Sequence, residues 1–130
     1  MKVIIAGTRT VKDWRTVQVA ILESDWQDET TEVVSGASID DVYNSRLSAD
    51  VLGAIWANFN GIPFVCFPAD WTQYGKAAGP IRNEQMAQYA DALILVWDGK
   101  SKGSADMKRK AQQRGLKIYE HIVDTQETGR

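Results

Sequence analysis

Residues 68–104 read PADWTQYGKAAGPIRNEQMAQYADALILVWDGKSKGS, and the fold turns on how this stretch is read. At its centre, Ala92-Leu93-Ile94-Leu95-Val96-Trp97 is apolar at every position, the pattern of a strand covered on both faces rather than one. On the N-terminal side, Tyr74, Gly75, Lys76 and Gly79 form a glycine-rich turn before a helix predicted from Ile81 to Tyr89, and Pro80 suits the first helical turn. On the C-terminal side, Asp98 to Ser104 is a second such turn. It leads into a helix from about Ser104 to Arg114, which Gly115 stops. Backbone N–H groups at helix starts next to Lys76 and Lys102 are suited to an anion.

Working outward, the same grammar repeats. Lys2 to Ala6 is a short apolar run ending at Gly7-Thr8-Arg9-Thr10, followed by helical spacing at Val17, Ala20, Ile21 and Leu22. Glu32 to Val34 is the next strand, ending at Ser35-Gly36-Ala37-Ser38, and Val51, Leu52, Ala54, Ile55 and Trp56 recur at helical spacing. Ile62 to Phe67 is the third strand, Ala92 to Trp97 the fourth and Leu116 to Tyr119 the last. Strands alternating with helices predict an α/β fold, with one parallel sheet of about five strands and helices on both faces. Residues 39–48, from Ile39 to Ser48, read as an excursion between the second turn and its helix.

Composition narrows the function. The chain has 130 residues, 44% hydrophobic and 25% charged, which fits one globular domain over residues 1–122 with a polar tail over 123–130. No apolar run approaches the ~20 residues that span a bilayer, so a cytoplasmic protein with no membrane partner is expected. Cys66 is the only cysteine and reads as a small buried hydrophobe; His121 is the only histidine, so no site built on several His and Cys ligands is expected. Asp40, Asp41 and Asp70 do not by themselves mark a metal site, and neither metal nor cofactor is predicted. A formal net charge of −2 argues against a protein that lives on a nucleic-acid backbone, and Lys108-Arg109-Lys110 reads as a solvated helix face.

In parallel sheets ligands bind beyond the carboxyl ends of the strands, which puts the turns after the first four strands at one edge. The predicted ligand residues are Gly7, Thr8, Arg9, Ser35, Gly36, Tyr74, Lys76, Arg82, Asn83, Trp97, Gly99, Lys102, Gly103 and Ser104. Arg82, near a positive helix start, is expected to face an anion or pair with a carboxylate. Trp71, Tyr74 and Trp97 offer ring faces for a base or, equally, for packing.

The segments VIIAGTRT, VVSGA, ADVLGAIWA, FPADW, YGKAAGPIRNEQMAQYADALILVWDGKSKGSADM and GLKIY resemble the SLOG superfamily (SMF/DprA and LOG), in its small stand-alone branch related to YspA and cpYpsA. The resemblance implies a Rossmann-like three-layer sandwich that holds a phosphate-bearing nucleotide or nucleotide-derived ligand, as a sensor or a sequestering protein without efficient hydrolysis. It also keeps open a phosphoribohydrolase of Lonely-Guy type and a DprA-like DNA-processing accessory protein. In the phosphoribohydrolases a helix arginine works with a glutamate; Arg82 matches the arginine, but the glutamate position is Met107. Asp106, one residue off, would be turned by about 100° and is expected to point away from a ligand at Gly103 and Ser104. Catalytic residues are therefore none, or Arg82 and Asp106 if the chain is an enzyme. A homo-oligomer is expected, with Trp14, Trp26 and Tyr43 as candidates for its surface.

Overall fold

In the computed structural model, which describes residues 1–124, five strands form one all-parallel sheet in the order β3-β2-β1-β4-β5. They are β1 (Lys2–Gly7), β2 (Glu32–Ser35), β3 (Phe64–Cys66), β4 (Ala92–Trp97) and β5 (Lys117–Ile122). The helices are α1 (Trp14–Ser24), α2 (Ile39–Tyr43), α3 (Ala49–Phe59), α4 (Trp71–Tyr74), α5 (Ala78–Tyr89) and α6 (Lys102–Gln113). Among the described residues no helix is long and apolar enough to cross a membrane.

The period-two geometry of the strands sorts the core into two layers. Val3, Ile5, Val33, Ile94 and Val96 face α1 and α3, meeting Val17, Ile21, Leu52 and Trp56. Ile4, Ala6, Val34, Leu93 and Leu95 face the other way, onto Met86 and Ala87 of α5 and Met107 and Ala111 of α6. Helices therefore cover both faces, and β4 is buried along its whole length.

Four helices depart from the expected pattern: α4 lies in a stretch read as turn, α6 begins at Lys102 rather than about Ser104, and α2 and α5 differ more. The first half of the stretch read as an excursion, residues 39–43, forms α2, capped by the Ser38 hydroxyl, which accepts from the Asp41 N–H; α2 packs Val42 against Val51 and Ala54 of α3. The helix predicted from Ile81 starts at Ala78, because Pro80 fits a first turn, where N–H groups lack helical partners anyway. Gly79 is consequently a helical residue rather than part of a turn. Among the strands, β3 is shorter than expected and β5 runs on to Ile122. Val123 is buried and donates its N–H to the Trp97 carbonyl at 2.8 Å, and residues 125–130 of the expected tail lie outside the described residues.

Candidate functional site

The chain builds β1, β2 and β3 to one side, then returns to place β4 on the other side of β1. The carboxyl ends of β1 and β4, paired at Gly7 and Val96, border the crevice this reversal leaves. A cleft of about 800 Å³ opens there, floored by Ala6, Gly7 and Thr8 and walled by the first turns of α5 and α6. A second cavity of about 500 Å³ lies toward α2, and Arg9, Asp50, Trp71 and Arg82 line both. Those four residues form a waist between two lobes.

Each floor residue has a structural task. A Cβ on Gly7 would sit 1.8 Å from the Val96 carbonyl oxygen and 2.9 Å from the Ala49 Cβ, so glycine is what lets β1 and β4 approach while α3 rests on them. The Thr8 N–H donates to the Val96 carbonyl at 3.0 Å, and its hydroxyl accepts from the Asp98 N–H at 3.1 Å, tying the two turns together. Arg9, by contrast, is exposed and forms no hydrogen bond or ion pair with a described residue.

Arg82 projects from α5 into the waist. Its Nη1 donates to the Gly36 carbonyl at 2.5 Å and its Nε to the Asn83 Oδ1 at 3.0 Å, leaving its other N–H donors for the cleft. Burial lowers its pKa, Asp50 pushes it back up and Arg9 lowers it again, which for a guanidinium leaves a charged group. Gly36 is where it is for Arg82: a Cβ there would stand 2.6 Å from Nη1 and 3.2 Å from the Asp50 Oδ1.

Asn83 is buried and spends both ends of its amide on scaffolding, accepting from Arg82 while its Nδ2 donates to the Asp106 Oδ2 at 3.0 Å and to the Gly103 carbonyl at 3.3 Å. Asp106 also accepts from Lys110 at 2.9 Å and pairs with Arg109. Burial pushes its carboxyl up, but Lys110, Asn83 and Arg109 together hold it below the usual range. The expectation that Asp106 points away is corrected: it lines the cleft beside Met107, because the groove between α5 and α6 opens on that side.

Of the predicted ligand residues, Gly7, Thr8, Arg9, Arg82, Asn83, Lys102, Gly103 and Ser104 come together in the first lobe, and Gly36 lines the second. The others do not line either lobe. Ser35 is fully buried, its hydroxyl donating to the Asp50 carbonyl and accepting from the Ala37 N–H. Trp97 is buried with Leu93 and Leu95 and donates its Nε1–H to Glu120 at 2.9 Å, so it cannot flank a bound ring. Gly99, at φ 78°, belongs to a turn that Asp98 makes by accepting from the Lys100 and Ser101 N–H groups. Tyr74 and Lys76 are exposed on and after α4. Trp71 is the aromatic at the waist; its ring tip lies 3.3 Å from where a Cβ on Gly79 would be. Trp14 and Tyr43 are exposed, whereas Trp26 packs against the core.

Asp50 is the site residue that sequence reasoning missed. It sits in the first turn of α3 after the Ser48 cap, where a carboxylate reads as a favourable partner for the helix start. The available signal is its place just after the turn that ends β2, at the ligand edge. Burial raises its pKa to about 6, against the pull of the Arg82 charge, the N–H groups of Asp50 and Gly36, and Arg9.

Over 124 residues the chain is 32% identical to the Gene 61 protein of Mycobacterium phage D29, covering 90% of this chain and 93% of that protein. No family model and no solved structure matches the chain.

Proposed function

This chain belongs to the family of the Gene 61 protein of Mycobacterium phage D29, and from its cleft we propose that it binds a phosphate-bearing nucleotide or nucleotide-derived anion, which it senses or sequesters. The observation that carries this reading is charge placement. Arg9, Arg82, Lys102 and Arg109 line the first lobe against the carboxylates Asp50 and Asp106, and the N-terminal turns of α5 and α6 open on the same space. Helix starts and spare guanidinium donors suit a phosphate, and Trp71 at the waist suits a base. The resemblance to the SLOG superfamily points the same way, and a phage relative suits capture of a nucleotide signal.

Two measurements test it. Denaturing the purified protein and analysing the released small molecules by mass spectrometry is expected to yield a phosphate-bearing nucleotide derivative. A ligand supplied at 100 times its dissociation constant adds about 2.7 kcal/mol of stability, a rise of roughly 5–20 °C in Tm for a domain of this size. A nucleotide panel that leaves the melting curve unmoved, together with no co-purifying phosphate compound, sinks the reading.

A second reading, hydrolysis of the N-glycosidic bond of a nucleoside monophosphate, draws on Asp106 and Arg82 sharing the cleft. The partners of Asp106 weigh against it: its oxygens already accept from Asn83, Lys110 and Arg109, which leaves it poorly placed to activate water. The expected outcome is binding without turnover. Release of free base above background from any nucleoside monophosphate, lost in both Arg82→Ala and Asp106→Asn, would replace the binder with a hydrolase.

A further inference from the structure

A cleft that only had to hold phosphate would gain nothing from a carboxylate in its lining, yet Asp50 lines both lobes. Asp106 already accepts from three partners, but Asp50 forms no ion pair with a described residue and accepts no hydrogen bond from a described side chain. Its nearest cation, Arg82, is turned toward the Gly36 carbonyl.

An ionised carboxylate only accepts hydrogen bonds, and it repels a phosphate placed a few ångströms away. A bound nucleotide is thereby oriented. Arg82 and Arg9 line the waist as well and attract the phosphate, so it lies between their guanidinium groups and the donors of Lys102 and the first turn of α6, and the group that meets Asp50 itself must carry donors of its own. In a nucleoside 5′-phosphate, the group next to the phosphate is the sugar, and its donors are the ribose hydroxyls.

We propose that Asp50 reads the sugar: its carboxylate accepts the 2′- and 3′-hydroxyls of a ribonucleotide whose phosphate lies at the start of α6, and it selects ribonucleotides over sugars lacking that pair. This rests on the nucleotide reading given above. A pKa of about 6 leaves the group ionised at neutral pH, as an acceptor must be. Because the fold raises that pKa, it disfavours the charged form relative to the unfolded chain. At pH 7, above both values, a neutral Asn in this place does not cost stability on that account.

The test is titration of the wild type, Asp50→Asn and Asp50→Ala with the four ribonucleoside 5′-monophosphates and their 2′,3′-dideoxy counterparts, with melting curves to show that each variant is folded. The wild type is expected to prefer the ribo form of its best ligand by roughly 10- to 100-fold, the value of hydrogen bonds to a charged group. Asp50→Asn is expected to shrink that preference and Asp50→Ala to erase it, with binding of the dideoxy form unchanged or tighter as the repulsion disappears. Equal wild-type affinity for both forms, or a ribo preference that survives in folded Asp50→Ala, overturns the sugar assignment and leaves the nucleotide reading standing. Altered choice among bases with no sugar effect overturns it too, placing the base at Asp50. If none of the eight compounds binds, the sugar assignment falls, while the nucleotide reading is decided by the co-purifying compound.

Discussion

Gly7→Ala is expected to lose about 3 kcal/mol or more of stability, lowering Tm by roughly 10 °C or leaving no folded protein to melt. The added methyl group meets atoms that cannot step aside: the Val96 carbonyl oxygen at 1.8 Å, its carbon at 2.7 Å and the Ala49 Cβ at 2.9 Å. Relief would mean moving β4 away from β1, and both are hydrogen-bonded at the centre of the sheet. Circular dichroism with a thermal melt checks it. A variant melting within about 2 °C of wild type would show that the β1 and β4 ends separate easily, and the account of the cleft floor would fall with it. The expected loss is far larger than a glycine that merely approached a ligand would give.

Arg82→Ala is expected to weaken binding of the nucleotide by roughly 30- to 1,000-fold, about 2–4 kcal/mol, because it removes a cation and several charge-assisted donors together. The protein should still fold but with a lower Tm, since Arg82 is itself partly solvent-exposed while its two buried partners, Gly36 and Asn83, each lose a donor. Gly36→Ala gives an independent check. Its methyl group would stand 2.6 Å from the Arg82 Nη1, the end of a flexible side chain, so the guanidinium swings away instead of the backbone giving way. Binding should fall in this variant with little change in Tm. Titration calorimetry settles both, and Arg82→Ala retaining wild-type affinity would remove Arg82 from the site.

The two glycines show what the sequence does and does not carry. Both were legible as turn residues at the ligand edge, but only coordinates separate the one that lets two backbones meet from the one that makes room for an arginine. The parallel sheet was legible because Ala92 to Trp97 has no polar face, and alternation of strands with helices then fixes which strand ends share an edge. The period-two pattern also held the correct reading of Trp97: it falls in line with Leu93 and Leu95, on the face that α5 and α6 cover. Asp106 was misplaced although its helix was right, since rotation about an axis says nothing of which groove between helices is open. Tyr74 ends α4 and Lys76 lies in the single 3-10 turn after it, elements too short for a periodicity that says which way a side chain points. Asp50 stayed hidden because the helix start accounts for a carboxylate there as readily as a ligand does.

The strand order has a consequence for how the molecule is made. A chain emerging from the ribosome completes β1, β2 and β3 while one edge of β1 has nothing to pair with, since Val3 to Gly7 wait for Ala92 to Val96. Parallel pairing between segments so distant in sequence is slow to form, and an open edge meanwhile invites other strands. The crevice between β1 and β4 does not exist until β4 docks, so the nascent protein gains its ligand site at the same moment that it closes its most vulnerable edge.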